Sequence, residues 1–271
     1  MRRICQVLGL PRSSYHHVAA PSPARRARLA LAGDVRRAFT ETRCCYGYRR
    51  VHRELLRRRV ECGAHTVRRI MRREGLQACR PRHFVPRTSD GKASKPSPNL
   101  LAECPLPKTP DRAWAGDITF IPCGPGWLYL AVVIDLCSRR VIGWSLSTRM
   151  HSSLVTDALG QAVQSRNSKD VIFHSDRGSQ YSSGSFRAML ASGGLRQSMS
   201  ARSNPYDNAW TESFIGKLKA ELIGQGSFRD IGHARSQLFS YIDGFYNNHR
   251  LHSSLDYRSP VDFEDSFRCM T

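Results

Sequence analysis

The 271-residue sequence predicts an α/β domain on a mixed sheet, preceded by a small all-helical domain. Three observations carry that expectation. Runs dense in Val, Ile and Leu follow one another between residues 116 and 146, and shorter strand-like and helix-like stretches then alternate. Residues 1–110 hold 25 Lys/Arg against 7 Asp/Glu, while residues 111–271 hold 17 against 15, so most of the formal net charge of +20 lies in the first part. Between the two, residues 80–110 carry seven prolines and no apolar period, the mark of a linker.

Taken in order, residues 1–28 read as a basic lead-in. Its apolar run at 4–10 is too short for a secretory h-region and stops at Pro11. Residues 29–79 read as three helices. The second, near 47–59, spaces Val51, Leu55 and Leu56 at helical intervals; the third opens on Thr66 as N-cap, aligns Val67, Ile70 and Met71, and stops at Gly75. Their polar faces carry Arg49, Arg50, Arg68, Arg69 and Arg72, among other arginines. Short helices ending in an Arg-rich one fit a helix-turn-helix DNA reader, with a solvated basic hairpin as the alternative.

Strands are expected at 116–123, 127–136 and 139–146, a helix at 151–164, a strand at 171–174 and a helix at 182–191. A strand at 197–200 and a helix at 208–223 follow. One longer helix at 229–249 should bury Ile231, Leu238, Ile242 and Phe245. Sequential strands followed by alternation imply a mixed sheet with helices on both faces. The core domain is placed at 111–225, completed by a helix and tail at 226–271.

Composition narrows the function. A sequence pI near 10.3 points to a polyanionic partner, and the planar fork of arginine suits phosphate. The nine cysteines show no paired metal-ligand spacing, and reduced thiols in the cytoplasm are expected. The longest apolar run, 128–136, is broken by Asp135 and falls far short of a membrane span.

Three carboxylates stand in unlike settings. Asp117 lies within an expected strand, where Asp is depleted. Asp176 follows a short strand, where ligands of open α/β sheets gather. Glu212, with 35 residues between it and Asp176, lies on a later helix whose face Ile215, Gly216 and Lys219 share. Brought together, such residues can hold two divalent ions for phosphodiester chemistry; scattered surface charges are the alternative. His174 reads as a satisfied core histidine, and His249 and His252 as DNA-contacting or structural. Ser179 and Ser213 have no His/Asp arrangement that would make either a nucleophile.

Five ordered blocks carry a resemblance. Trp114-Ala-Gly-Asp117-Ile-Thr, His174-Ser-Asp176-Arg-Gly-Ser-Gln-Tyr181 and Asn204-Pro-Tyr-Asp-Asn-Ala-Trp-Thr-Glu212-Ser-Phe214 are similar to the catalytic blocks of DDE integrases. Tyr46-Gly-Tyr-Arg49-Arg-Val51 resembles a helix-turn-helix segment, and the stretch from Tyr246 to Pro260 a C-terminal signature. Together the blocks resemble the OrfB integrase-core transposases of the insertion-sequence-three family. The resemblance implies an RNase H-like integrase core. It also implies that Asp117, Asp176 and Glu212 are catalytic ligands of two Mg²⁺ ions, with Mn²⁺ able to substitute. The expected reaction cuts element ends and joins a 3′-hydroxyl to DNA.

By the same resemblance Lys219 is expected at DNA; Arg250 and His252, in the polar tail, are also read as DNA contacts. The expected partners are double-stranded DNA, as element ends and target, further copies of the chain on DNA, and an upstream-frame product or frameshift fusion. The expected setting is cytoplasmic and nucleoid-associated, away from membranes. The segment 1–15 is short and basic and lacks heptads, so the chain reads as the downstream product. Ser203 and Asp256 each replace a usual glycine, and Glu103 a usual basic residue. A nuclease that cuts without joining and a catalytically inert DNA binder are the competing expectations.

Overall fold

A computed structural model of the protein describes residues 2–9, 22–79, 96–102, 107–201 and 208–268. The chain divides into two compact units, Met1–Gln77 and Ala78–Thr271.

The first unit is helical: α1 (Arg2–Val7), α2 (Pro23–Glu41), α3 (Tyr48–Arg57) and α4 (Ala64–Arg73). α2 begins inside the stretch expected to be lead-in. Ser22 accepts a hydrogen bond from the Arg25 N–H at 3.3 Å, and Pro23 supplies a preset φ at the first position. α4 also starts earlier than expected. The N–H groups of Thr66 and Val67 both bond to the Gly63 carbonyl, so Thr66 lies inside the helix and Gly63 is the cap. Val35, Ala38 and Phe39 of α2, Val51 and Leu55 of α3, and Val67, Ile70 and Met71 of α4 are buried at helical spacing. Gly75, at φ +66°, ends α4 as expected.

The second unit is built on a sheet of β1 (Ala113–Cys123), β2 (Gly126–Asp135), β3 (Val141–Ser147), β4 (Ile172–Ser175) and β5 (Arg196–Met199), in the order β3-β2-β1-β4-β5. β1, β2 and β3 pair antiparallel, and β4 runs parallel to both β1 and β5, giving the mixed sheet the sequence predicts. Helix α5 (Ser152–Ser165) lies on β2 and β3, and a Cβ at Gly143 would collide with the Ala158 carbonyl oxygen. Glycine is what lets the α5 backbone come so close. Beside α5, α6 (Gly184–Ser192) completes a core that includes Trp114, Val133, Leu159, Phe173 and Phe186. A smaller cluster of Ala113, Ala115 and Leu136 takes in Trp210 of α7 (Ala209–Glu221).

Part of the expected linker belongs to this unit. Leu100 N–H donates to Ser198 Oγ at 2.9 Å, the Met199 N–H to the Pro98 carbonyl at 3.3 Å, and Ser97 Oγ to Gln197 Oε1 at 2.8 Å. This segment covers the exposed edge of β5, which would otherwise be open to unwanted pairing.

The long C-terminal helix expected at 229–249 is two pieces. α8 (Ile231–Phe239) passes into π-helical turns at Ser240–Tyr246, and Ile231 stays exposed while Leu238, Ile242 and Phe245 are buried. Just past the π turns, the Asn247 side chain bonds both backbone groups of Val141, at 3.0 and 2.9 Å, and so pins the segment to β3. The tail ends in a further helix, α9 (Pro260–Arg268), whose start Ser259 caps by accepting from the Asp262 N–H at 3.1 Å, with Pro260 at the first helical position.

Candidate active site

The parallel register of β1 and β4 sets the geometry. Ala113, Trp114 and Ala115 pair with Ile172, Phe173 and His174, and β4 then ends at Ser175. Continued by two residues, the same register sets Asp117 opposite Asp176, where β1 has lost its neighbour. Both residues line one small cleft with Ile118, Phe120, Met150, Gly178, Gln180 and Tyr181. Each carboxylate is held through one oxygen by backbone. Ile118 N–H donates to Asp117 Oδ1 at 2.8 Å, and Gly178 N–H to Asp176 Oδ1 at 2.9 Å. Close approach at Gly178 matters, since a Cβ there would stand 3.0 Å from Asp176 Oδ1.

Alternation along β1 puts Asp117 on the same face as Ala113 and Ala115, the face on which Trp210 packs. The Arg139 guanidinium lies 5.8 Å from the Trp210 ring. Trp210 thus anchors the start of α7 two residues before Glu212. Thr211 Oγ1 donates to the Asn208 carbonyl and makes a second, short bond to Asn208 Oδ1, closing the first turn. Glu212 is exposed.

The electrostatics tie these residues together. Asp117 keeps some surface open to the cleft, yet loss of water pushes its carboxyl up from 3.8 to about 8; the Asp176 charge adds to this, and Glu212 adds less. The Ile118 N–H and Lys219 pull the other way. Burial lowers Lys219 below its ordinary value, against the attraction of Asp117. Among the described residues no three His, Cys, Asp or Glu side chains are close enough to grip one ion together. Asp117 and Asp176 are therefore paired, with Glu212 near enough to act on Asp117 by charge but outside that pair. The donor chemistry suits a hard cation: two adjacent carboxylates, one of them costly to ionise, gain most from a divalent positive charge.

The other expected residues divide. His174 is fully buried between Ser198 Oγ at 2.9 Å and Ser200 Oγ at 3.2 Å, a satisfied core histidine. Arg250 and His252, expected at DNA, are corrected: they are 3% and 4% exposed. Arg250 donates from Nε to Glu221 Oε2 at 2.9 Å, and Tyr241 completes that buried cluster, while His252 stands edge-on to Tyr246 at 4.9 Å. A guanidinium committed to a buried carboxylate is not available to phosphate. In the helical unit, Arg49, Arg68, Arg69 and Arg72 are exposed and Arg50 is half-buried over Tyr46. Arg49 and Arg68 lie 5.8 and 5.6 Å from the Tyr48 ring, and the Arg49 Nε donates to the Tyr48 hydroxyl at 3.2 Å. The roles of Trp210, Arg139 and Asn208 escape sequence reasoning, because each depends on a contact made only after folding. Ser203 and Glu103 lie outside the described residues.

Residues 107–205 and 193–260 match family models described as integrase core domain, and residues 25–84 one described as HTH-like domain. The chain is 39% identical over 274 aligned residues to the transposase InsF for insertion sequence IS3A of Escherichia coli, covering 98% of this chain and 94% of that one. The chain belongs to the insertion-sequence-three transposase family. The transposase for insertion sequence element IS904 of Lactococcus lactis is 38% identical over 90% of this chain and 97% of its own. Among solved structures, a chain of the simian T-cell lymphotropic virus intasome in complex with PP2A regulatory subunit B56 gamma matches with a TM-score of 0.51 at 18% identity, over 75% of this chain and 67% of that one. That likeness concerns the fold, an RNase H-like integrase core. The family chemistry is DDE polynucleotidyl transfer, dependent on divalent metal, and its helix-turn-helix module marks a DNA-binding protein. Among the described residues no helix of this transposase-family chain is long and apolar enough to cross a membrane.

Proposed function

We propose that this chain cuts the ends of its insertion sequence and joins the freed 3′-hydroxyl to target DNA, using Asp117, Asp176 and Glu212 as the carboxylates that hold two Mg²⁺ or Mn²⁺ ions. The observation that carries the reading is the register that brings Asp117 opposite Asp176, with the Glu212 charge acting on the same cleft. When bound, the ions supply charge neutralisation and activation at the attacking and leaving oxygens. The chain's own part is to hold the two aspartates by backbone N–H groups and to carry Glu212 on an anchored helix. Glu212 sits outside the pair, so a small inward turn of α7 would complete the site when cation and DNA are present. The half-buried Lys219 is close enough for Asp117 to act on it by charge and would meet a phosphate brought to the site.

The helical unit holds DNA chiefly through phosphate contacts in this reading. Arg49 and Arg68, braced on Tyr48, form a two-pronged cation on α3 and α4. Replacing both with Ala is expected to weaken binding about equally for all DNA sequences and to lower the slope of log affinity against log salt by about 2. Fluorescence anisotropy across a salt series measures it; an unchanged slope with lost sequence preference would instead assign these arginines to base contacts. We further propose that several copies act together on DNA with an upstream-frame product, in the nucleoid of the cytoplasm.

The deciding experiment incubates the protein with a plasmid carrying the element, with Mg²⁺ or with chelator, and sequences the products. Metal-dependent new covalent junctions are expected. Cut ends without junctions, even after the upstream product is added, would make this chain a nuclease.

A further inference from the structure

Tyr181 is the cleft residue that the reading above leaves without a task. Its side chain is 2% exposed, and its buried hydroxyl has no hydrogen-bond partner among the described residues. Folds rarely strand a buried hydroxyl, so its presence asks for an acceptor. The ring has little freedom to move. It meets Phe186 edge-on at 5.3 Å and Phe173 at 6.2 Å. Its backbone is tied at both ends, the N–H to the Gly178 carbonyl at 3.1 Å and the carbonyl to Gln197 Nε2 at 2.7 Å. Gly116 makes the room: a Cβ there would stand 3.3 Å from the Tyr181 hydroxyl oxygen and closer still to Phe173. The hydroxyl therefore lies against β1 at Gly116, next in sequence to Asp117, and Tyr181 lines the cleft that Asp117 and Asp176 share. Both carboxylates act on it electrostatically.

We propose that Tyr181 is a positioning residue whose hydroxyl donates the hydrogen bond that locks the Asp117–Asp176 carboxylate pair in the orientation that grips a divalent cation. This rests on the reading of that pair as ion ligands. The acceptor is a carboxylate rather than DNA because the hydroxyl oxygen has almost no accessible surface, so a phosphate approaching from the mouth does not reach it. Each aspartate is already held at Oδ1 by a backbone N–H, and one more donor fixes rotation about the terminal side-chain bond. A cation held between the aspartates would draw both carboxylates together, and the fixed phenol would then brace them.

The test titrates the full-length, metal-free protein with Mn²⁺ and follows thermal unfolding, for wild type, Tyr181→Phe and Asp117→Asn. Tyr181→Phe keeps the ring packing and removes only an unsatisfied donor. It should be at least as stable as wild type in chelator, yet need about tenfold or more Mn²⁺ for the same stabilisation. In the joining assay its kcat should fall with KM for DNA unchanged. A variant less stable in chelator with an unchanged Mn²⁺ midpoint would make Tyr181 a packing residue and end the proposal. The Asp117→Asn arm separates the two levels. If that variant responds to Mn²⁺ like wild type, the ion-ligand reading fails and takes this inference with it. If its response is lost while that of Tyr181→Phe is intact, only the role of Tyr181 is rejected.

Discussion

Asp117→Asn is expected to abolish strand joining while making the metal-free protein more stable at neutral pH. Charge stabilisation of several kcal/mol at a two-metal site, at about 1.4 kcal/mol per tenfold in rate, sets the loss of activity at roughly a thousandfold or more. The gain in stability follows from the direction of the carboxyl shift. The folded state raises Asp117 from 3.8 to about 8, chiefly by burial and then by the Asp176 charge. It therefore holds that proton more tightly than the unfolded chain does. The contribution is intact below about pH 4 and is lost as pH rises toward 8, where the buried carboxyl must ionise.

Asparagine never ionises, so the variant should match wild type near pH 4 and exceed it progressively up to about pH 8. Thermal unfolding in chelator at pH 4, 6 and 8 measures this. Glu212→Gln should lose joining equally but, being exposed, leave the unfolding temperature nearly unchanged. Adding Mn²⁺ should raise wild type and leave Asp117→Asn behind. A variant Asp117→Asn that is less stable than wild type at pH 8 in chelator would remove Asp117 from the strained pair.

Glu264→Ala should be the most destabilising single substitution among the charged residues of the second unit. Glu264 of α9 is 3% exposed and accepts from Ser138 Oγ at 2.6 Å, Arg140 Nη1 at 2.7 Å and Arg166 Nη2 at 2.9 Å. Arg166 also faces Asp111 at 3.4 Å, in the segment that leads into β1. This network ties the last helix to the loop after β2 and to the end of α5. Removing the carboxylate leaves Arg166, itself largely buried, without its main counter-charge. Breaking such a buried pair costs about 3–5 kcal/mol, and each kcal/mol lowers the unfolding temperature by about 2–4 °C in a domain of this size.

Urea denaturation gives the direct measure. Glu264→Met combined with Arg166→Met should recover much of the loss, because an apolar pair carries no stranded charge. A double variant no better than Glu264→Ala would show that α9 docks by packing and that the charges contribute little. Since α9 packs against the loop that follows β2, partial detachment should also slow joining by the otherwise intact site.

The sequence alone determined the mixed α/β architecture of the second unit, the helical character of the first and the residue types able to do the chemistry. Strand runs dense in Val, Ile and Leu, helical runs at period 3.6 and an Asp inside a strand are local signals, and they survive folding because each reflects the chain's own backbone preferences. The placement of Asp117 and Asp176 was legible because one lies within and the other just beyond a strongly apolar strand. Element ends were less legible. Gly63 took the cap expected at Thr66, since the first backbone bond of α4 closes on a glycine with no signal of its own. The expected helix at 229–249 changed to a π segment where Asn247 had to reach Val141, a partner 106 residues away.

Arg250 and His252 look like DNA contacts in a polar tail, and only the tertiary structure decided that both are interior, because Glu221 and Tyr246 come to meet them from other elements. Tertiary structure likewise decided that β4 stops one residue short of Asp176 while β1 runs on. That gap turns two separate aspartates into a pair and leaves the Tyr181 hydroxyl beside them. Local sequence sets what each segment is, whereas charge burial and pairing depend on which distant segments share one low-dielectric neighbourhood, and that is settled only when the sheet closes.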